Sequence, residues 1–320
     1  MRAVRITETG GPEVLAVTDV PSPEPGAGEV LVAVEAAGVN FVDTYRRGGV
    51  YPVDLPTGLG SEGAGRVLAL GAGVDGFAVG DLVAWKEAAG SSAEQVVVAA
   101  AELVPVPDGV DATTAAAVLL QGLTAHYLCT DTHRVTEGTW CLLHAGAGGV
   151  GLLLTQMIRL RGGHVVTTTS TEEKAELSRA AGADAVVRYA DATATARELT
   201  GGRGVDVVYD SVGRDTFDAS LRALRPRGLM VLFGGSSGQV PPFDVQRLNR
   251  EGSLFLTRPN LASYTLDRAE LLHRTDELFG WVRDGRLDVR VGHTYPLEQV
   301  RTAHEELEGR RTTGKVLLVP

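Results

Sequence analysis

The chain has few of the residues that build disulfide frameworks and metal sites. Only two of its 320 residues are cysteines, Cys129 and Cys141. Buried free thiols in a reducing cytoplasm are the simplest account of them. The seven histidines are scattered, and neither C-x-x-C nor H-E-x-x-H occurs. Because zinc needs three or four converging ligands, we expect no metal site.

The chain also lacks the charge and the apolar runs of nucleic-acid-binding and membrane proteins. Its net charge is −10, whereas a nucleic-acid or membrane-surface role favours a basic face. No apolar run reaches the roughly 18 residues of a membrane span. Residues 1–8 lack an apolar signal core and are predicted to form a strand. The length predicts two globular domains.

Glycine, by contrast, is abundant, and one cluster of glycines is typical of a turn that binds a ligand. Residues 140–143 are apolar and lead, through His144, into Gly146-x-Gly148-x-x-Gly151, after which an apolar helix is predicted. This order of strand, glycine turn and helix is typical of a dinucleotide site. The glycines allow a tight turn, close approach of the pyrophosphate and close packing of helix on strand. Free N–H groups at the helix start then face the anion.

The G-x-G-x-x-G pattern occurs twice more, at 58–63 and 71–76. The first match runs into a strand-like segment and the second into another loop. Neither precedes a helix, so we interpret both as turns.

Strands and helices alternate after the first third of the chain. Residues 1–110 contain short β-like runs separated by turns, which predicts a small β-barrel-like domain. Asp111 is predicted to cap a helix that ends near Cys129. Strands are predicted at 140–144, 164–169, 185–189, 205–209, 228–233 and 253–257. Helices are predicted at 149–161, 171–181, 192–200, 215–224 and 243–250, the second beginning with a capping box at 170–173. The pattern predicts an α/β fold with a doubly wound parallel sheet.

After residue 259 the chain is predicted to return to its first domain. A helix at 267–284, a strand at 289–294, a helix at 297–308 and a strand at 315–319 are expected there.

The end of the second predicted strand of this sheet indicates which dinucleotide binds. An NAD site usually has Asp or Glu at this place. Here hydroxyl residues stand there, ending at Ser170, and Lys174 follows. Hydroxyls and an ammonium group attract a 2′-phosphate, which favours NADP. The alternative is that Glu172 or Glu173 faces the ribose, as in an NAD site. Tyr189 either stacks near the adenine or is a packing residue.

Several strings resemble those of the quinone oxidoreductases, the zeta-crystallin-like branch of the medium-chain dehydrogenase/reductase superfamily. They occur at 38–45 (GVNFVDTY), 48–52 (GGVYP), 56–65 (PTGLGSEGAG), 121–124 (QGLT), 144–151 (HAGAGGVG), 208–215 (VYDSVGRD), 227–238 (RGLMVLFGGSSG), 257–259 (TRP) and 313–318 (TGKVLL). The resemblance covers nearly the whole chain.

The resemblance implies a fold, a cofactor and an assembly. Residues 1–122 would form the N-terminal part of a GroES-like catalytic β-barrel domain, and 123–258 a Rossmann NADPH-binding domain. Residues 259–320 would complete the catalytic domain. The activity implied is reduction of quinones by NADPH without flavin, in a homodimer. Zinc-dependent relatives bind their metal through Cys and His, where this chain has Asn40 and Ser61.

The resemblance also implies site residues. Asn40 and Tyr45 would lie near nicotinamide and substrate, with Tyr51 at the entrance of the cleft. Cofactor contacts would come from Thr124, Gly146, Gly148, Gly149, Val150, Gly151, Ser170, Lys174, Tyr189, Phe233 and Ser236. This sequence departs from the family pattern at Gln121, where some relatives carry Lys.

Two other functions fit the same sequence. An NADPH-dependent enoyl or alkenal reductase would use the same fold, because activated alkenes and quinones present similar electrophilic oxygens. A non-catalytic NADPH-binding protein with a structural or regulatory role would keep the nucleotide site alone. The substrate is expected to be a small quinone or conjugated carbonyl compound.

Overall fold

A computed structural model describes all residues, Met1–Pro320, and they divide into two compact units. The first unit comprises Met1–Gln121 and Asp267–Pro320, and the second comprises Gly122–Leu266. In this division the segment 259–266, which sequence analysis assigned to the return segment, lies with the second unit.

The elements follow one another in three stretches of the chain. The first contains β1 (Arg2–Ile6), β2 (Ala16–Asp19), β3 (Glu29–Val39), α1 (Phe41–Arg47), β4 (Thr57–Gly58), β5 (Glu62–Leu70), β6 (Leu82–Trp85), β7 (Gln95–Ala99), β8 (Leu103–Pro105) and α2 (Ala112–Tyr127). The second contains β9 (Trp140–Leu143), α3 (Gly149–Leu160), β10 (His164–Thr168), α4 (Glu172–Ala180), β11 (Ala185–Val187), α5 (Ala192–Leu199), β12 (Val205–Asp210), α6 (Phe217–Ala223), β13 (Leu224–Leu232), α7 (Gln246–Arg250) and β14 (Phe255–Thr257). The third contains α8 (Arg268–Arg283), β15 (Val291–Pro296), α9 (Val300–Glu308) and β16 (Lys315–Val319).

The first unit is built on two sheets. Three strands pair in the order β2-β1-β4, and a larger sheet has the order β15-β16-β3-β5-β6-β8, with β7 also paired to β3. Alternate residues of β3 and β5 point into a core that includes Val32, Val67 and the fully buried Trp85. The predicted β-rich first domain is confirmed, and its final strands do come from the C-terminal segment.

The second unit contains one parallel sheet of six strands in the order β11-β10-β9-β12-β13-β14. Its central strand β12 is buried along almost its whole length, as a sheet covered by helices on both faces requires. The order reverses beside β9, which is the topology of a doubly wound dinucleotide fold. The predicted fold class is therefore confirmed.

Some predicted boundaries are wrong for local reasons. The expected capping box at 170–173 does not begin α4, because Thr171 Oγ1 accepts the Lys174 N–H at 3.3 Å. Helix α7 begins later than predicted, since Asp244 Oδ1 accepts the Gln246 N–H at 2.9 Å and starts the turn there.

The boundaries of two strands also differ slightly from the predicted ones. Strand β13 starts before position 228 because Leu224 already pairs with Val205, across a register shift. Strand β15 occupies Val291–Pro296 since its pairing with β16 begins at Val291.

The helix α2 follows its prediction at the N-terminus. Asp111 Oδ1 accepts the Thr114 N–H at 2.7 Å, which confirms the predicted cap. The α-helical part ends at Tyr127, and a wider turn over Leu128–Thr132 follows. None of the helices combines the length and the apolar character that a bilayer span would need.

Candidate functional site

The glycine turn joins β9 to α3 in the second unit. Gly148 is the residue before the first turn of α3, a twelve-residue helix. A Cβ on Gly146 would stand 2.6 Å from Thr167 Cβ, and one on Gly151 would stand 2.9 Å from the Gly146 carbonyl carbon. The first and third glycines therefore let the turn pack closely. The left-handed backbone of the turn falls on Ala145, with φ of 57°, rather than on a glycine.

A buried chain of hydrogen bonds stands behind this turn. His144 Nδ1 lies 3.0 Å from Thr168 Oγ1, and His144 Nε2 lies 2.9 Å from Ser220 Oγ. Ser220 Oγ donates to Asp210 Oδ2 at 2.8 Å, so it accepts from the imidazole. His144 is therefore the tautomer with its proton on Nε2. Burial lowers the pKa of His144, which keeps the ring neutral. The ring is a structural group that ties β9 to β10 and α6.

The residues expected around a 2′-phosphate lie beyond the ends of β10 and β11. Ser170 is exposed after β10, and Lys174 is half-buried in the first turn of α4. Tyr189 follows β11, and its ring stacks on His144 with centroids 5.7 Å apart and planes within 16°. The stacking links Tyr189 to the network behind the glycine turn.

The other expected cofactor residues occupy the same unit. Val150 is in the first turn of α3, and Thr124 is a nearly buried residue of α2. Phe233 directly follows β13, where its N–H donates to the Asp210 carbonyl at 2.9 Å. The Ser236 N–H donates to the Ser211 carbonyl at 3.1 Å.

A second polar cluster is buried in the first unit, where β16, β3 and β5 run side by side. Val316 pairs with Val39, and Gly38 pairs with Glu62. This register brings Lys315 and Glu62 together, and they form an ion pair in which both side chains are almost fully buried. A Cβ on Gly38 would stand 2.6 Å from Lys315 Nζ. Gly38 therefore leaves the space that the ion pair fills.

Asn40 completes this cluster. Its Nδ2 donates to Glu62 Oε1 at 2.6 Å, and its Oδ1 accepts from Lys315 Nζ at 3.0 Å and from Gln121 Nε2 at 3.3 Å. An ammonium only donates and a carboxylate only accepts, so the orientation of the Asn40 amide is determined. One hydrogen of Nδ2 is left over. At position 121, Gln offers an amide rather than a charge, and its Oε1 is buried without a partner.

A line of polar side chains leads outward from the same strands. Asp43 Oδ2 accepts the Asn40 N–H at 2.8 Å, and Asp43 Oδ1 accepts from Ser61 Oγ at 2.9 Å. Arg46 donates to Ser61 Oγ and to Glu87 Oε1, both at 2.6 Å. Burial raises the pKa of the Asp43 carboxyl to about 6, although these hydrogen bonds favour its charged form.

The helix α1, which Asn40 precedes, is anchored at its other end. Arg47 is buried and donates to Glu308 Oε1 at 2.7 Å and to His304 Nδ1 at 3.0 Å. Since Arg only donates, His304 Nδ1 is an acceptor and the ring is neutral. Burial and the nearby Arg47 lower the pKa of His304 to about 3. These bonds fix α1 against α9.

Two tyrosines expected at the substrate stand together on and after α1. Tyr45 lies one turn beyond Phe41, with ring centroids 6.3 Å apart. Tyr51 packs edge-on against Tyr45 at 5.6 Å, and its N–H donates to the Tyr45 carbonyl at 3.2 Å. The Tyr51 residue is 39% exposed, so its ring is held but reachable from solvent.

The chain is similar to known proteins along its entire length. Residues 26–137 match the alcohol dehydrogenase GroES-like domain, and residues 181–318 match the zinc-binding dehydrogenases. A quinone oxidoreductase of Pseudomonas aeruginosa is 44% identical, covering 100% of this chain and 99% of the relative. The chain belongs to the quinone oxidoreductase family.

Two further relatives bear on the site. The crystal structure of the Escherichia coli quinone oxidoreductase complexed with NADPH is 40% identical, with a TM-score of 0.98 over 100% of both chains. A 2-haloacrylate reductase of Burkholderia is 39% identical over 99% of this chain and 98% of its own length.

The first unit does not fit the metal that the name zinc-binding dehydrogenase implies. An amide at Asn40 and a hydroxyl at Ser61 are not the Cys, His and carboxylate ligands that zinc takes in proteins. Two carboxylates lie beside them. Glu62 already faces the ammonium of Lys315, which repels a divalent cation, and Asp43 accepts from the Asn40 N–H and from Ser61 Oγ. No three His, Cys, Asp or Glu side chains anywhere in the chain are grouped to hold a metal ion. That the protein is metal-free stays a prediction.

Glu62 and Lys315 were not predicted from the sequence as members of the cluster. Glu62 lies inside the string 56–65, and Lys315 is the first residue of the apolar final strand. An ionisable side chain at the head of an apolar strand needs a buried counter-charge, and this was the available signal.

The first prediction concerns Asp43 and pH. Its folded-state pKa of about 6 is above the ordinary 3.8, so the folded protein binds more protons than the unfolded chain between these values. Stability should therefore fall as pH rises from about 4 to about 6. Asp43→Asn should remove up to about 3 kcal/mol of this dependence. Urea unfolding at several pH values measures it, with exposed Asp54→Asn as control. Parallel pH profiles for Asp43→Asn and the wild type would contradict the assignment.

Proposed function

We propose that the protein reduces quinones with NADPH, converting a quinone, NADPH and a proton to a hydroquinone and NADP⁺. The observation that carries this is the full-length similarity to a quinone oxidoreductase solved with NADPH. The proposal assigns catalysis to 1–122 with 259–320, and NADPH binding to 123–258. NADPH, when bound, supplies the hydride.

The second unit has the groups that such a cofactor needs. The backbone N–H groups of Gly149 and Val150 begin a helix long enough to favour an anion at its start. Gly148, whose own N–H donates to the Ala145 carbonyl at 2.9 Å, would let the pyrophosphate approach the backbone closely. Ser170 and Lys174 would receive the 2′-phosphate, and the ring of Tyr189 would lie beside it. Thr124, Phe233 and Ser236 would hold the nicotinamide half.

The first unit would act on the acceptor. Asn40 would donate its remaining Nδ2 hydrogen to the oxygen that gains negative charge, and the hydroxyls of Tyr45 and Tyr51 would assist it. Donors that are fixed before the reaction stabilise such a charge without reorganising. Since water can supply the final proton, no dedicated acid is required.

An enoyl or alkenal reductase is the second candidate. The similarity to a 2-haloacrylate reductase supports it, because that relative's name describes an activated alkene as substrate. The polar groups of the first unit would serve an enolate oxygen equally well. A non-catalytic role is less well supported, since a nucleotide-binding protein without activity has no need for an oriented amide at Asn40.

We further propose a cytoplasmic homodimer. Both free cysteines are buried, which suits a reducing compartment. Strand β14 forms an edge of the six-stranded sheet, and Phe255 on it is 61% exposed. An open, apolar edge strand pairs readily with its own copy about a two-fold axis.

The second prediction tests this edge. Phe255→Arg should convert the dimer to a monomer in light scattering, because it places like charges opposite each other across the two-fold axis. Val245→Arg alters an equally exposed residue outside the strand and should leave the dimer intact. A wild-type monomer, or a dimer that survives Phe255→Arg, would overturn the proposed edge.

The third prediction concerns cofactor choice. Lys174→Ala should weaken NADPH binding about ten- to a hundred-fold, since a charge-assisted contact to phosphate contributes about 1.5–3 kcal/mol. NADH binding should change little. Fluorescence titration with both nucleotides measures this, with Arg179→Ala on the same helix as control. Equal losses for NADPH and NADH would show that Lys174 acts through folding instead.

The fourth prediction concerns the acceptor. Tyr51→Phe keeps the ring that packs on Tyr45 and removes only the hydroxyl. If that hydroxyl supports the oxygen gaining charge, kcat for a small o-quinone should fall while the Kd for NADPH stays unchanged. Asn40→Ala should reduce kcat more. Tyr295→Phe, in the same unit, serves as control. Unchanged kcat and KM in both site variants would remove these residues from the mechanism.

A further inference from the structure

We propose that Lys315 and Glu62 are positioning residues for the reaction, because together they hold the Asn40 amide in one orientation. The inference rests on the proposed function of Asn40 as a donor to the acceptor oxygen. Neither side chain needs to touch substrate or cofactor to have this effect.

The ion pair is arranged around the amide. Lys315 Nζ faces Asn40 Oδ1 at 3.0 Å, and Glu62 Oε1 faces Asn40 Nδ2 at 2.6 Å, while the two charged groups also contact each other. Rotating the amide by half a turn would put the NH₂ group against the ammonium and the carbonyl against the carboxylate. Both contacts would be repulsive in a site with almost no exposure to water.

Stability alone is a weak reason for such an arrangement. A buried ion pair loses hydration, and replacing it with neutral side chains of similar size is often neutral or stabilising. Glu62 also accepts the Leu120 N–H at 3.0 Å, and Gln121 adds a second donor to Asn40 Oδ1. The first contact holds Glu62 in place, and the second favours the same amide orientation as the ion pair does. Only one Nδ2 hydrogen remains uncommitted, and its direction is thereby determined.

The test replaces the pair without leaving a buried charge. Glu62→Gln and Lys315→Met are combined, since each is close in size to the original and the double variant is neutral. We expect kcat with a small o-quinone to fall about tenfold or more, towards the value of Asn40→Ala. The Kd for NADPH should stay within about twofold. In the Asn40→Ala background the same double replacement should cause no further loss of kcat.

A matched control is the other buried-lysine ion pair of the first unit, Lys86 with Glu102, at 2.7 Å. The combination Glu102→Gln with Lys86→Met should leave kcat unchanged. If E62Q/K315M is too unstable to assay, the equally neutral combination of Glu62→Gln with Lys315→Gln enters the same cycle. A wild-type kcat in the site variant, or a kcat loss that multiplies with that of Asn40→Ala, would overturn the proposal.

A second measurement does not depend on turnover. The chain has three asparagines, Asn40, Asn249 and Asn260. After ¹⁵N labelling of asparagine, the Asn40 side-chain signals are the pair that Asn40→Asp removes. The two Nδ2 protons should be widely separated in chemical shift in the wild type and converge in E62Q/K315M. Unchanged separation would refute the orienting role. If the wild type reduces no quinone, the proposed function fails, and the cycle is run with the alkenal it reduces.

Discussion

One buried ion pair organises the polar cluster of the first unit. Glu62 and Lys315 lie on strands far apart in the sequence and meet with almost no exposure to solvent, in space that the missing side chain of Gly38 leaves open. Because the pair satisfies its own charges, the site needs no metal ion for neutrality. Because one partner only donates and the other only accepts, the pair also orients Asn40. The pairing of distant strands, the lack of a metal-binding donor set and the orientation of the Asn40 amide therefore meet at one place in the first unit.

The second unit also has a buried network of polar side chains, but this network contains hydrogen bonds and no ion pair. His144 joins Thr168 to Ser220, and Ser220 joins the ring to Asp210. Each polar atom on this path has a partner, so burial adds rigidity at little cost. The hydrogen bonds of His144 thus hold the start of the glycine turn in place. A phosphate-binding turn benefits from this, since its N–H groups must point at the anion before it arrives.

Much of the fold was predictable because its signals are local. The glycine turn, the apolar strands and the cap at Asp111 each depend on residues close together in sequence. The cap of α4 was misplaced by one residue, because Ser170 and Thr171 have equivalent hydroxyls and only the backbone decides between them. Sequence predicted Asn40 through resemblance alone. Its partner Lys315 is far away in the chain, and only the strand register of the folded sheet brings the two together.

The reaction that the wild-type protein catalyses is the most direct test of the proposed function. The direct measurement is the rate of NADPH oxidation by the purified protein with o-quinones, p-quinones and 2-alkenals, compared with NADH under the same conditions. The proposed function requires turnover of at least one quinone class, faster with NADPH than with NADH. Reduction of 2-alkenals with no turnover of any quinone would contradict it and assign the enoyl reductase activity instead.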